Sequence, residues 1–522
     1  MDKSREFAEK IFEKIRKSEV KDKKSLEKVK KAVGKSLGLK TIPTNPDILQ
    51  FADEREIEKF SKIVNIKPTR TISGVSVITV VAKPAHCPGK CIYCPKGDKA
   101  PQSYTGLEPA IQRGIRNGYD PFLQTKDRLN QYRITGHHSD KVEIIILGGT
   151  FLALDPEYQE WFVKRIFDAL NGEESESLTD AQRLNETGNH RCVGLTIETR
   201  PDYCFESHVN QVLLLGGTRV EIGVQTIYQE ILEKIKRGHS VKDTVKATKV
   251  AKESALKCTY HIMPGLFVDK KDDIKQFKIL FEDSDYRPDS LKIYPTLVIE
   301  NTELHDMWKR GDYNPLETEE AVDLIVKAMK YIPKYCRVIR VQRDIPNNKV
   351  VKGVMSSNLR ELVEAECRRR KVRIQEMRYR EVGHRIKNGI VPNPNKIELC
   401  RLNYNASGGE EVFLSFEDSE NDVLFGFLRL RIPEKPFRKE IDIKTALVRE
   451  LHVFGPTVPI GRSGEGGWQH RGLGQRLLKE AERIAAEEFD KRKVAVISGI
   501  GVREYYKRLG YKRDGPYMSK IL

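Results

Sequence analysis

Three cysteines, Cys87, Cys91 and Cys94, fall within the stretch HCPGKCIYCPKG (86–97) of a chain that has nine cysteines in 522 residues. Thiols this close point to one shared inorganic ligand. A structural zinc ion takes four ligands, usually as two pairs, and an ordinary four-iron four-sulfur cluster takes four thiolates. Three thiolates on such a cluster leave one iron with an open position for a substrate or cofactor. His86, beside Cys87, could instead complete a zinc site, so the cysteines alone leave both chemistries open.

Charge is the second signal. Lys and Arg total 92 against 75 Asp and Glu, a formal net charge of +17, and the pI is near 9.2. Such an excess attracts polyanions, nucleic acid above all. Residues 1–40 carry 14 Lys and Arg against seven acids. A second basic run holds Arg368, Arg369, Arg370, Lys371 and Arg373. The expected RNA contacts are Lys28, Lys30 and Lys31 in the first run and Arg368, Arg369 and Arg370 in the second. No run of about 18 apolar residues is present to span a membrane. The N-terminus has no apolar signal core, and the few cysteines suit a reducing compartment, so a cytoplasmic protein is expected.

The elements that must position these residues follow from periodicity. Phe7, Ile11, Phe12 and Ile15, then Leu26, Val29, Val33 and Leu37, are spaced as apolar helix faces. From residue 75 onward, strand-like runs at 75–83, 142–150, 192–200, 219–226, 257–265 and 290–298 alternate with amphipathic stretches such as DPEYQEWFVKRIFDAL. Near-continuous apolar runs separated by helices indicate parallel strands in βα units. Six units predict a full or partial barrel with its chemistry at the C-terminal strand ends, and the cysteine loop directly follows the first strand. After residue 349 the pattern changes. FLSFEDSENDVLFGFLRLRI (413–432) reads as an antiparallel hairpin, TALVRELHVFG as a strand, SGEGGWQHRG as a glycine-rich loop and QRLLKEAERIAAEEFDKRK as a helix.

The cysteine pattern on a barrel loop resembles the radical S-adenosylmethionine enzymes, whose open iron holds the methionine end of that cofactor. Within that resemblance LGGT (147–150), with Gly148 and Gly149, matches the motif that contacts the methionine through backbone groups. ETRPD (198–202) and GVQT (223–226) place Glu198, Arg200 and Gln225 at the same mouth. QHRGLG (469–474) resembles the pyrophosphate loop of the GCN5-related N-acetyltransferase fold. There Gly472 and Gly474 let the backbone approach the phosphates of coenzyme A at a helix N-terminus. ELHV (450–453) matches the strand that pairs with pantetheine. In REYYKRLGY (503–511), Tyr505 and Tyr506 are placed to hydrogen-bond or protonate a departing thiolate.

Simple amine acetylation needs no radical; breaking a C–H bond of the acetyl methyl does. Over almost its whole length the chain resembles the catalytic-subunit family of Elongator, through CIYCP, QSYTGLEP, DKVEIIILGGTF, VRELHV, AVISGIG and REYYKRLGY among others. The resemblance implies a tRNA uridine acyltransferase. Its cofactors are a [4Fe-4S] cluster, S-adenosylmethionine and acetyl-CoA, and its product is 5-carboxymethyluridine at the wobble position. Acetyl-CoA is implied to touch Lys141, Glu450, Leu451, His452, Val453, Leu473, Gly474, Gln475 and Tyr506, with Gln469 and Gly472 in the phosphate loop. The implied fold is α/β: a radical S-adenosylmethionine partial (βα)6 barrel joined to a GCN5-related N-acetyltransferase α+β domain. The expected segments are a basic helical tRNA-binding segment (1–69), the radical core (70–345), a basic helical linker (346–372) and the acetyltransferase domain (373–522). The cysteine-rich zinc linker found in many members is absent here. Cys367, His384 and Cys400 are too few, and zinc is not expected. An electron donor for the cluster is required. The alternatives are a protein lysine acetyltransferase with a structural cluster and a non-catalytic tRNA-binding scaffold.

Overall fold

The computed structural model describes residues 3–39, 41–43, 45–49, 51–53, 56, 59–60, 63, 74–135, 137–455 and 472–522. Seven parallel strands hydrogen-bond in chain order: β1 (Ser76–Val81), β2 (Lys141–Leu147), β3 (Arg191–Thr199), β4 (Arg219–Gln225), β5 (Lys257–Ile262), β6 (Ser290–Ile293) and β7 (Arg337–Val341). Among the described residues β1 and β7 do not pair. The sheet nevertheless curls enough that side chains from all seven strands line one cavity. It is a partial barrel, as expected, with one strand more than the six read from the sequence. In RVIRV the arginines hide a strand: Arg337 and Arg340 face the cavity while Val338 is buried in the core.

The covering helices follow from local rules. Helix Pro156–Asn171 begins with Asp155, whose carboxylate accepts from the Glu157 N–H, followed by Pro156 at the first helical position. It ends at Gly172, whose φ of +82° is the left-handed value a C-terminal glycine takes without strain. Its apolar face buries Phe162, Val163, Ile166, Phe167 and Leu170, each contributing about 1.5–3 kcal/mol. Helix Leu359–Arg369 buries Leu359, Val363 and Cys367 and packs on helix Thr318–Ala328. The stretch read as a linker is therefore partly built into the barrel's outer layer.

The second sheet has the order β8-β9-β10-β11-β12-β14-β13. Its strands are β8 (Ile397–Ala406), β9 (Gly409–Asp418), β10 (Val423–Ile432), β11 (Thr445–Val453), β12 (Lys493–Val496), β13 (Lys512–Asp514) and β14 (Tyr517–Ile521). All pairs are antiparallel except β11 with β12. Helix Leu473–Glu487 packs on β10 and β11. At the other end of the chain, helices Lys3–Arg16, Lys23–Ser36 and Asn45–Leu49 share a separate small core around Phe7, Ile11, Phe12, Leu26 and Ile48.

The two sheets meet across buried charge. Asp289, just before β6, accepts from Arg449 Nη2 at 2.5 Å and Nη1 at 3.0 Å. Glu411 accepts from Arg449 and Arg431, each at 3.0 Å, and Arg431 also pairs with Glu253 of the barrel. All five side chains are at most 2 % exposed. Charges out of water persist only when paired this closely, and removing one partner strands the other. The network fixes the two halves against each other.

Candidate functional site

The cysteine loop leaves β1 at the C-terminal mouth of the barrel. Cys87, Cys91 and Cys94 are free, partly exposed thiols. They line a cavity of about 560 Å³ together with Gly149, Glu198, Arg200 and Gln225. Arg237 Nη1 donates to Cys91 Sγ at 3.3 Å, while its Nη2 donates to the Gly223 carbonyl at 2.8 Å. Cys87 Sγ lies 3.6 Å from Thr150 Oγ1. Burial first, and then the neighbouring Cys91, push the Cys94 thiol above its ordinary pKa.

At least one pair of the three sulfurs is more than 4.8 Å apart, wider than the about 3.8 Å between two thiolates on one zinc ion with Zn–S near 2.3 Å; this spacing suits ligands of different irons in one cluster. Gly89 sharpens the fit: a Cβ there would lie 2.2 Å from Arg200 Nη1, so only glycine lets the guanidinium approach the loop. That Nη1 is buried without a partner among the described residues, whereas Nε and Nη2 hold Asp202 at 2.9 and 2.8 Å. The donor set and the orphaned guanidinium fit a cluster with an anionic group beside it. Gly148 and Gly149 have φ of +158° and +66°, and a Cβ on Gly148 would meet Ala82 at 2.8 Å.

Deeper in the lumen Glu198 joins Glu221, His261 and Lys292, three residues not singled out from the sequence. Lys292 Nζ donates to Glu198 at 3.0 Å and pairs with Glu221, which also meets His261 Nε2 at 3.1 Å. Tyr104 Oη donates to Glu198 at 3.1 Å. Burial acts against charge at both Glu221 and Lys292, but each holds the other: the carboxyl stays well below its ordinary pKa and the ammonium well above. Glu198, Glu221 and His261 have metal-ligand spacing, but the Lys292 ammonium takes the cation's place. The available signal was a Lys and a Glu inside otherwise apolar strands, SLKI and RVEIGV, where an unpaired charge would be costly.

The second site lies at the opposite, N-terminal end of the barrel strands. β11 and β12 pair in parallel only over Thr445–Val448 and Lys493–Val496. Beyond that they separate, and the opening is a cleft of about 630 Å³. One wall carries Glu450, Leu451, His452 and Val453; Gly472, Leu473, Gly474 and Gln475 open helix Leu473–Glu487; Tyr505 and Tyr506 close one side; Lys141, from the start of β2, completes the cleft from the barrel half. Gly472 adopts φ +77° as the N-cap and no side chain caps the helix, which leaves its first N–H groups facing the cleft. A Cβ on Gly474 would lie 3.3 Å from Tyr505 Oη. Gln469 lies outside the described residues.

Charge states in the cleft are set by its neighbours. Burial raises Glu450, but Lys257, Arg429 and Arg219 outweigh it and bring its pKa down to about 2. Arg429 Nε donates to it at 3.0 Å. Burial pushes the Tyr505 and Tyr506 hydroxyls up, so both stay protonated near neutrality. Burial lowers Lys141.

The basic runs are placed unevenly. Lys28 and Lys31 are exposed, whereas Lys30 is buried and donates to Asn45 Oδ1 at 2.8 Å. Arg368, Arg369 and Arg370 are exposed, with Arg369 and Arg370 ion-paired to Glu366. Cys367 is buried, His384 lines the cysteine-mouth cavity and Cys400 sits on β8 beside Ser419. These three do not assemble a ligand set. No helix among the described residues is long and apolar enough to cross a membrane.

Comparison with known proteins places these features. Residues 84–280 match the model of the radical SAM superfamily, 288–369 its C-terminal domain and 4–72 the ELP3 N-terminal domain. A "tRNA uridine(34) acetyltransferase" of Methanocaldococcus jannaschii is 53% identical over 98% of this chain and 97% of its own. "Elongator complex protein 3" of Homo sapiens is 42% identical over 95% of this chain and 93% of its own. The solved structure of Methanocaldococcus infernus Elp3, with an N-terminal deletion of residues 1–46, superposes with a TM-score of 0.78 at 53% identity, covering 87% of this chain and all of that one.

Proposed function

The chain belongs to the family of tRNA uridine(34) acetyltransferases and Elongator complex protein 3, and from that premise we propose how its two cavities divide one reaction. The protein is a tRNA-modifying enzyme acting on the wobble uridine. Its proposed reaction joins the methyl carbon of acetyl-CoA to uridine C5, and thioester hydrolysis then leaves 5-carboxymethyluridine. The observation that carries this reading is that one chain holds a three-thiol mouth at one end of a barrel and a splayed-strand cleft at the other.

Cys87, Cys91 and Cys94 would hold a [4Fe-4S] cluster. S-adenosylmethionine would lie against the Gly148–Gly149 backbone, Glu198, Arg200 and Gln225. When bound, the pair supplies a 5′-deoxyadenosyl radical able to take hydrogen from a methyl group. Arg237 steadies the Cys91 thiolate by donating to its sulfur. Arg200, with one donor pair already held by Asp202, offers Nη1 to an anionic group. In the cleft, the amides at Gly472–Gln475 and Lys141 would take the pyrophosphate of acetyl-CoA, with Gln469 joining them. Leu451–Val453 would flank the pantetheine. The protonated Tyr505 and Tyr506 hydroxyls are donors for a thioester oxygen or a departing thiolate. Glu450, held ionised by three cations, anchors the wall and makes a poor base for the ammonium a lysine acetyltransferase must deprotonate. Lys28, Lys31 and Arg368–Arg370 would meet tRNA phosphates.

The test is nucleoside analysis of tRNA incubated anaerobically with the protein, S-adenosylmethionine, acetyl-CoA and dithionite. 5-Carboxymethyluridine should appear only when all are present. Product formed without S-adenosylmethionine, or acetylated lysine in place of modified uridine, rules the reading out.

A further inference from the structure

The two cavities are not merely in one molecule; they share walls. Val75, Glu143, Arg219 and Arg337 line both. All four stand at or near strand starts: Val75 directly precedes β1, Arg219 and Arg337 are the first residues of β4 and β7, and Glu143 is the third of β2. The cysteine-mouth cavity therefore runs the length of the strands, from their N-terminal ends to the loop beyond their C-terminal ends. A closed barrel of this kind fills its interior with layers of apolar side chains. Here the layers are interrupted and polar, with Glu198, Glu221, His261 and Lys292 around an open space. β2 is seven residues long, about 23 Å at the usual rise per residue, which is a distance for a thin linear arm rather than a folded ligand.

We infer that the acetyl end of acetyl-CoA reaches the cysteine mouth through the barrel lumen, entering from the interface cleft past Glu143 and Arg219. This rests on the acetyl-CoA reading of the cleft, in which Tyr505 and Tyr506 meet the thioester before the arm advances or the thiolate after it withdraws. Two independent observations support it. The lumen and the cleft abut at shared walls, and the polar lining of the lumen suits the amides and thioester of a pantetheine arm better than an apolar core would. The buried network of Asp289, Arg449, Glu411, Arg431 and Glu253 fixes the halves, so a route that swings the domains apart would expose five paired charges. At the neck, Arg219 Nη1 donates to Glu143 at 2.7 Å. Both side chains remain partly accessible, at 11% and 18%, and moving this pair, with the 3.9 Å contact from Arg219 to Glu450, opens the passage while the five charges of the network stay in place.

The experiment uses bromoacetyl-CoA, which carries an alkylating carbon where acetyl-CoA has its methyl. A cysteine sulfur displaces bromide from that carbon, forming a thioether and releasing HBr, and the adduct is found by peptide mass. Full-length, cluster-loaded protein is treated anaerobically, so that the three native mouth cysteines stay ligated. Ile145→Cys puts the reporter in the lumen; Val77→Cys, on another wall of the same lumen, repeats the measurement should the first variant not fold. Ser498→Cys reports on the interface cleft alone. The inference expects the lumen cysteine to react about tenfold or more faster with bromoacetyl-CoA than with bromoacetamide, because binding raises its effective concentration, and free CoA to protect it. Rapid labelling at Ser498→Cys with no such preference at either lumen position overturns the passage and leaves the cleft reading intact. No preference at any of the three positions overturns both.

Discussion

The two ends of the barrel handle charge in opposite ways. At the cysteine mouth, charged groups are left unfinished: Arg200 Nη1 and Arg237 Nε are buried without partners among the described residues, and three thiols face one another. At the far end opposite charges are paired: Asp289 with Arg449 and Lys257 with Glu450 across the domain boundary, and Glu411 with Arg449 and Arg431, and Glu450 with Arg429, within the second sheet. Arg449 Nε and Arg429 Nη1 are also buried without hydrogen-bond partners there, but their carboxylate partners are already in place. A guanidinium edge turned to a cavity among thiols marks where a ligand is expected. Charges that meet their counterions inside the protein mark where it is its own ligand. Function concentrates at the first kind of place and rigidity at the second.

That contrast can be broken from either side. The largest expected effect is at the mouth: Cys91→Ser should abolish the visible absorbance of the anaerobically reconstituted cluster and reduce S-adenosylmethionine cleavage to background, while acetyl-CoA affinity measured by calorimetry stays unchanged. Next comes the weld. Asp289→Ala strips the buried Arg449 of its barrel-side partner, leaving Glu411 alone to hold it and Arg431, and should cost about 3–5 kcal/mol, read as a lowered denaturation midpoint in both halves together. A change confined to one half would show that the network does not couple them.

Glu450 gives the pH signature of the same region. Its folded pKa of about 2 lies below the unfolded carboxylate value, so its contribution is complete above about pH 4.5 and fades as pH falls toward 2. The size is about 3 kcal/mol. Glu450→Gln should flatten the stability profile over that window, seen in denaturant titrations at pH 5 and pH 3; an unchanged slope would mean that its ion pairs contribute nothing net. In the cleft, Lys141→Ala removes a charge-assisted contact worth about 1.5–3 kcal/mol, roughly ten- to hundredfold in acetyl-CoA affinity. The smallest effect belongs to the N-terminal helices. Lys28→Glu with Lys31→Glu should weaken tRNA binding several-fold and reduce the slope of log K against log salt by about 1–2. Unchanged affinity and slope would place the RNA path elsewhere.

Much of this was legible in the sequence. The cysteine spacing, six of the seven barrel strands and the helix after the phosphate loop were readable because each depends on a local rule: ligand geometry, apolar runs, 3.6-residue periodicity. The apolar faces at Phe7–Ile15 and Leu26–Leu37 proved to be the N-terminal core, with Val29 and Leu37 partly buried against it. What escaped depends on tertiary context. β7 looked too basic for a buried strand because its arginines are paid for by the lumen, and β8 is an edge strand with most of its residues exposed or half-exposed. The Glu198, Glu221, His261 and Lys292 layer comes from four different strands and no single stretch carries it. Lys30 read as one of three equivalent lysines, although its position on the helix turns it inward toward Asn45.

The Asp289–Arg449–Glu411–Arg431–Glu253 network also has a consequence for inheritance. A charge lost on one side of the boundary is a defect in the other domain, so a tolerated change there calls for its counterpart 160 or 178 residues away in the same chain. The barrel and the second sheet are free to drift on their outer surfaces, but along this seam they are expected to change as a pair.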